Sequence, residues 1–283
     1  MSFCYINGSY KNQNKAMISV EDRGFNFSDG VYEVIGFRNK KILNFSKHLK
    51  RLNYSLSQLR ISFPFYNAIS LKIISEQLLK INTNNNGFLY LQITRGTAVR
   101  NHLFPKKSKP NIIIFTFGNK NIDHLKKGVK VCLSQDYRWL RCDIKSISLL
   151  SNVLEKQKGH EKGFFETWLI RDKKITEGTT SNAFIVNKKN ELVTHPNNNH
   201  ILGGVTRNNV IDIAKKEGIN VLENAFNIKD IKDCKEAFLT STTLGVVPVH
   251  TVDKMVINKK RVGQITKCLH DNYEDFLEFQ TNE

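Results

Sequence analysis

Lys145 ends the run Trp139-Leu140-Arg141-Cys142-Asp143-Ile144-Lys145, with an apolar stretch before it (Val129, Val131, Leu133) and a helix-like one after it (Leu149, Leu150, Val153, Leu154). This pattern predicts a strand-to-helix junction, a place where chains often present reactive groups. A lysine picked blindly from a chain so rich in lysine is a solvated surface group. Here the flanks are apolar and aromatic rather than charged. An amine in such surroundings loses solvation of its ammonium form and becomes available as a nucleophile. That is what forming a Schiff base with an aldehyde requires.

A cofactor carrying an aldehyde, a pyridine nitrogen and a phosphate needs further partners. The nitrogen needs an anion that keeps it protonated, so that the ring can draw in electrons. Glu177, in Thr176-Glu177-Gly178-Thr179-Thr180-Ser181-Asn182, follows an expected strand and precedes a turn of small residues, which suits that role. The phosphate needs backbone N–H groups, hydroxyls and one arginine. Gly204-Val205-Thr206-Arg207 offers close backbone approach, with Thr206 expected to cap a helix that begins near Arg207. Ser241 and Thr242 add two hydroxyls after a strand, and Arg51 lies beside an apolar helical stripe. Taken singly, each also reads as something ordinary: a turn acid, a helix cap, a polar turn, a snorkelling arginine. Arg100 and His102 alternate in an expected extended loop and so can face one point, where two cationic or donor groups would hold a carboxylate. Alone, they read first as a solvated basic loop.

The elements that must position these groups follow from periodicity. Tyr5-Ile6, Asn7-Gly8 and Ser9-Tyr10 read as a hairpin. Glu21 to Gly30 reads as a polar loop, and Val31 to Phe37 as a strand that turns at 38–41 and returns through Ile42-Leu43. Leu49, Leu52, Leu56 and Leu59 predict a helix from Ser46, its expected cap, to Arg60. Ile69, Ile73, Ile74, Leu78 and Leu79 mark a second helix. Gly87–Thr94 is an expected strand, and the apolar run Asn111–Phe117 predicts one buried on both faces. The chain turns polar from Gly118 to Lys127, which places a domain boundary between segments 1–120 and 121–283. Beyond it, a strand at Lys145 and a helix to about Gly163 are expected. The strand pairs 166–170 with 174–176 and 183–186 with 191–194 follow, then a helix over 207–216. Strands near 221–222, 237–239 and 246–249 and a closing helix complete the pattern. The class this implies is α+β.

Composition limits the possibilities. The chain has 283 residues, 40% hydrophobic and 24% charged, which suits a globular protein with a substantial core. No apolar run has the length of a membrane span, and the N-terminus lacks the pattern of a secretory signal. Five scattered cysteines without a C-x-x-C pair favour free thiols in a cytoplasmic setting and no metal. The net charge of +17 is spread along the chain, which favours a lysine-rich surface over RNA binding. Neither G-x-G-x-x-G nor a P-loop motif occurs.

Together, Glu21-Asp22-Arg23-Gly24, Asp29-Gly30-Val31-Tyr32-Glu33-Val34, Thr94-Arg95-Gly96-Thr97, the Trp139–Lys145 run, Thr176-Glu177-Gly178 with Ser181-Asn182, and Thr240-Ser241-Thr242-Thr243 resemble one family nearly end to end. It is the D-amino-acid aminotransferase branch of the class IV, fold-type IV pyridoxal-phosphate enzymes. The resemblance implies a small α/β N-terminal domain and a larger strand-rich pseudobarrel domain, with pyridoxal 5'-phosphate between them in a homodimer. It implies transamination between D-amino acids of the D-alanine and D-glutamate type and 2-oxo acids. Lys145 matches the Schiff-base lysine and proton carrier, and Glu177 the partner of the ring nitrogen. Arg51, Val205, Thr206, Ser241 and Thr242 match the phosphate cup. Tyr32, Arg100 and His102 match the carboxylate trap, the last two reaching in from the partner subunit. The nearer alternatives on this scaffold are branched-chain L-amino-acid transfer and aminodeoxychorismate cleavage; the Arg-x-His pair, which relatives acting on branched L-amino acids lack at this loop, argues against both. The chain departs from the resemblance at Leu244-Gly245 and around Val99, Asn101 and Leu103, which bears on side-chain preference.

Overall fold

The computed structural model describes residues 2–118 and 127–282. Two compact units emerge from its packing: Met1–Lys120 with Ile144–Ser148, and Asn121–Asp143 with Leu149–Glu283. The boundary expected between residues 120 and 121 falls outside the described residues.

In the first unit, β1 (Phe3–Ile6) and β2 (Ser9–Asn12) form the expected hairpin. The Glu21–Gly30 stretch, expected as a loop, instead carries a short helix, α1 (Arg23–Phe27). Its cap explains it: one Asp22 carboxylate oxygen accepts from the N–H groups of Gly24 and Phe25. Next come β3 (Gly30–Arg38), β4 (Lys41–Ile42), α2 (Phe45–Gln58), α3 (Ala68–Ile81), β5 (Gly87–Thr94) and β6 (Asn111–Gly118). The strands make one antiparallel sheet in the order β2-β1-β6-β5-β3-β4. Its core unites Val31, Ile35, Leu89, Leu91, Ile93, Ile112 and Ile114 with Leu52, Leu56, Leu71 and Leu78 of the helices.

Three expectations change here. α2 is preceded by Asn44 in the left-handed region, with no side-chain cap, and Ser46 lies inside the helix. β6 buries one face only: Ile112, Ile114 and Thr116 are buried while Phe117 is exposed. In α3, Ile69 and Ile73 face solvent, and the buried stripe is Leu71, Ser75, Leu78 and Leu79. Ser75 can lie there because its hydroxyl donates to the Leu71 carbonyl at 2.8 Å.

The second unit begins with β7 (Val129–Gln135), α4 (Leu150–Glu161), β8 (Glu166–Arg171) and β9 (Lys174–Gly178). β10 (Asn182–Val186), β11 (Leu192–Thr194), α5 (Val205–Lys216) and β12 (Val221–Glu223) follow. α6 (Ile228–Asp233), β13 (Glu236–Ser241), β14 (Gly245–Val252), β15 (Met255–Val256) and α7 (Gln264–Asn282) complete it. Its sheet runs β12-β11-β10-β13-β14-β7-β8-β9, with β15 on β14. β7 and β8 are parallel, so the chain between them must cross over, and residues 136–149 are irregular rather than a strand at Lys145. Unpredicted α6 is held by a capping box between Asn227 and Asp230. Trp168, Ile175, Ala183, Ile185, Leu239 and Val247 lie in one core. The α+β class holds.

Candidate active site

In the first unit, Lys145 is held by its backbone. Its N–H donates to Ser55 Oγ at 3.1 Å, and its carbonyl accepts from the Tyr32 N–H at 3.0 Å. Ser146 bridges to Val31, and Ile144 is part of the unit's core. These ties leave the Lys145 side chain half-buried, with Nζ 4.2 Å from the centroid of the Tyr32 ring. Tyr32 and Lys145, both named from sequence, therefore meet. Tyr32 in turn stacks on Tyr90, centroids 5.7 Å apart, and burial together with Tyr32 pushes the Tyr90 hydroxyl up to about 12.

Strand alternation turns Glu33 to the opposite side from Tyr32, toward α2. There His48, Arg51 and Ser55, spaced three and four apart, lie along one stripe. Arg51 grips Glu33 with two parallel bonds, Nε to Oε1 at 2.8 Å and Nη2 to Oε2 at 2.7 Å, and His48 Nδ1 lies 2.8 Å from Oε2. Burial would raise the Glu33 carboxyl, but Arg51 and then His48 outweigh it and hold it down to about 2. Burial drives His48 the other way, below its ordinary value. Glu33, His48 and Ser55 were missed from sequence, although the 48–51–55 spacing is a readable signal.

Arg100 and His102 come together in a way the extended-loop argument did not provide. Their segment is a series of bends. Both reach the ring of Phe27: the Arg100 guanidinium carbon is 4.9 Å from its centroid, and the His102 ring centroid 5.2 Å away.

In the second unit, Glu177 is buried at the end of β9. Arg138 Nη1 donates to its Oε1, the Leu202 N–H to both oxygens (3.1 and 3.0 Å), and Asn182 Nδ2 to Oε2 at 3.0 Å. Arg138 also gives Nε and Nη2 to Asp136, each at 2.9 Å. Burial pushes the Glu177 carboxyl up against the pull of Arg138. Burial alone would favour a neutral Arg138, yet Glu177 and Asp136 push its pKa further up, so it stays charged. Asp136 and Arg138 were missed, and their alternation just after β7 was the available signal.

Asn182 ties the remaining expected residues together. Besides Glu177, its Nδ2 donates to the Leu202 carbonyl at 2.9 Å, and its backbone pairs with Thr240, next to Ser241 and Thr242. Gly204 lies so close that a Cβ there would stand 2.1 Å from Asn182 Oδ1. α5 starts at Val205 with Gly204 as its N-cap, so Thr206 sits within the first turn rather than capping it. No side chain caps this helix, which leaves its first-turn N–H groups suited to an anion. Thr206 Oγ1 lies 3.2 Å from Tyr273 Oη, and Ser241 Oγ 3.3 Å from Thr243 Oγ1.

Comparison with known proteins identifies the family and the fold. A family model described as amino-transferase class IV matches residues 30–252. The chain is 39% identical to a D-alanine aminotransferase of Bacillus licheniformis, over 93% of this chain and 92% of that one. It is 36% identical to one from Staphylococcus haemolyticus over the full length of both. Among solved structures, the branched-chain amino acid aminotransferase of Escherichia coli superposes with a TM-score of 0.91 at 21% identity, covering 98% of this chain and 94% of that one. The branched-chain enzyme of Thermobaculum terrenum, in its PLP-form, gives 0.86 at 21%, over 99% and 94%. At such identity these structures establish the shared fold.

Proposed function

We propose that this chain, which belongs to the class IV aminotransferases, moves amino groups between D-amino acids of the D-alanine and D-glutamate type and 2-oxo acids, with pyridoxal 5'-phosphate as cofactor. The residues present suit that cofactor: an uncapped helix start beside a glycine with no room for a Cβ, adjacent hydroxyls, and a buried carboxylate with raised proton affinity. When bound, it supplies an aldehyde that captures the amino group and a ring that accepts the electron pair left at the substrate Cα.

The chain's own residues have separable tasks in this reading. Lys145 would hold the aldehyde through its Nζ, and its free amine would carry the substrate Cα proton. Glu177 keeps the ring nitrogen protonated, with Arg138 and Asn182 fixing its two oxygens. Val205, Thr206, Ser241 and Thr242 hold the phosphate, and Arg51 lends its charge from its pair with Glu33. Tyr32, Arg100 and His102 take the substrate carboxylate.

The observation that carries the D-amino-acid assignment is the pair Arg100 and His102 gathered on one ring, with no carboxylate pairing with either among the described residues. We read the chain as a homodimer in which this loop serves the partner's site. Both residues are exposed and are flanked by exposed Val99 and Leu103, which supports that reading. We place the enzyme in the cytoplasm, in keeping with five free cysteines. Among the described residues, no helix is long and apolar enough to cross a membrane.

The test is the visible absorption of the cofactor-loaded protein with D-alanine, L-alanine or L-leucine. Conversion to the aminated form by D-alanine alone is expected, and Lys145→Ala should abolish turnover. Conversion by L-leucine alone would move the assignment to branched-chain transfer. D-alanine turnover surviving in Lys145→Ala would remove the assigned role of Lys145.

A further inference from the structure

We infer that Phe27 positions the carboxylate-binding pair, holding Arg100 and His102 against one uncharged aromatic ring so that the Arg100 charge and the donors of both remain available to the substrate. The inference rests on the reading of Arg100 and His102 as the carboxylate site.

Three nitrogen-rich side chains surround the Phe27 ring. The guanidinium carbons of Arg23 and Arg100 lie 4.8 and 4.9 Å from its centroid, and the His102 ring 5.2 Å away at an interplanar angle of 53°. The three are not equivalent. Arg23 is buried and committed: Nε donates to Asp29 at 2.8 Å, and Nη1 to the carbonyls of Asn101 at 2.5 Å and Leu103 at 3.3 Å. It thus staples the backbone on either side of His102. Asp29, the nearest acid in sequence, is taken up by Arg23 and by Arg95, whose Nε donates to it at 2.7 Å. Arg100 and His102 are left with the ring.

An acid in that place would orient the same two groups but cancel the charge a substrate carboxylate needs. An aromatic face attracts a cation through its quadrupole and takes none of its N–H bonds. A guanidinium against a ring keeps its donor edge for a planar, two-point bond to a carboxylate. The ring is itself fixed. Asp22 caps α1, and a Cβ at Gly24 would stand 2.3 Å from Thr94 Cγ2, so the helix is pressed against the end of β5. Phe104 closes the other end of the loop beneath Arg95, whose guanidinium carbon lies 3.6 Å from the Phe104 centroid.

The experiment compares wild-type holoenzyme with Phe27→Leu, Phe27→Tyr, and a protein carrying 3,4,5-trifluorophenylalanine at position 27, which keeps the ring's shape and depletes the charge of its face. Steady-state kinetics with D-alanine are paired with calorimetric titration of propanoate, a carboxylate without an amine. Phe27→Leu and the fluorinated protein should raise both KM and the propanoate dissociation constant on the order of tenfold, the loss of the cation–π contact to Arg100 together with the ring contact to His102. Their kcat and cofactor absorption should stay unchanged, and Phe27→Tyr should behave as wild type. The fluorinated protein decides the matter if Phe27→Leu folds poorly, since a purely packing role would leave it at wild-type values. Wild-type propanoate binding in the fluorinated protein, while Arg100→Ala weakens it, overturns the role of Phe27 alone. Wild-type binding in Arg100→Ala overturns the carboxylate site itself and the inference with it.

Discussion

Glu33 in the first unit and Glu177 in the second are both buried carboxylates with an arginine alongside, yet their proton affinities move in opposite directions. Burial acts on both in the same sense. What differs is how each arginine is divided. Arg51 gives Nε and Nη2 to Glu33, and His48 adds a third contact. Arg138 gives Nε and Nη2 to Asp136 and only Nη1 to Glu177, so Glu177 meets part of a guanidinium and a second anion nearby. A carboxylate that receives two parallel arginine bonds and a histidine contact becomes a fixed charge. One that shares an arginine remains basic enough to hold a proton-bearing nitrogen. The same pair of residue types thus makes a fixed anion in one place and, in the proposed reading, the partner of the cofactor's ring nitrogen in the other.

Substitutions test that contrast. Glu33→Gln should have the largest effect, costing about 3–5 kcal/mol of stability, as breaking a buried pair does, read from denaturant unfolding. Because the folded-state value is depressed, the stabilisation by Glu33 is fully present above its ordinary value of about 4.5 and is lost as pH falls through about 2. An acid-unfolding curve of Glu33→Gln parallel to wild type across that window would break the comparison. Glu177→Gln should fold normally and lose about 10²-fold in kcat, about 2.7 kcal/mol of transition-state stabilisation. A large drop in melting temperature instead would make Glu177 a second anchor. Asp136→Asn should have the smallest effect, within about tenfold in kcat, or about 1.4 kcal/mol. By freeing Arg138 for Glu177 it should lower the Glu177 carboxyl and move the acid limb of the kcat profile to lower pH. A shift to higher pH would show that Asp136 does not compete for Arg138.

Local spacing made much of this protein readable. The hairpin at Asn7-Gly8, the strands from Gly30 and Gly87, the helix over α2 and the strand pairs after residue 166 all follow from two- and 3.6-residue periods and turn residues. α3 shows where periodicity fails. Two stripes share that helix, and the more apolar one, Ile69 and Ile73, faces out. The buried stripe contains Ser75, whose polarity is cancelled by a bond to its own helix.

The chain's own residue types, at their spacing, determined which chemistry to expect: an amine at Lys145 between apolar flanks, a carboxylate at Glu177 ahead of a small-residue turn, and glycines before a helix expected near Arg207. Tertiary structure alone decided the partners. Glu177 meets Arg138 across 39 residues, Arg23 reaches the Asn101 carbonyl across 78, and Lys145 leans on Ser55 across 90. The physical reason is that a period tells which side of an element a residue faces, while what stands opposite depends on long-range strand pairing and helix packing. That choice of neighbour divides Arg138 between two acids, gives Glu33 two parallel bonds from Arg51, and sets the two buried carboxylates apart.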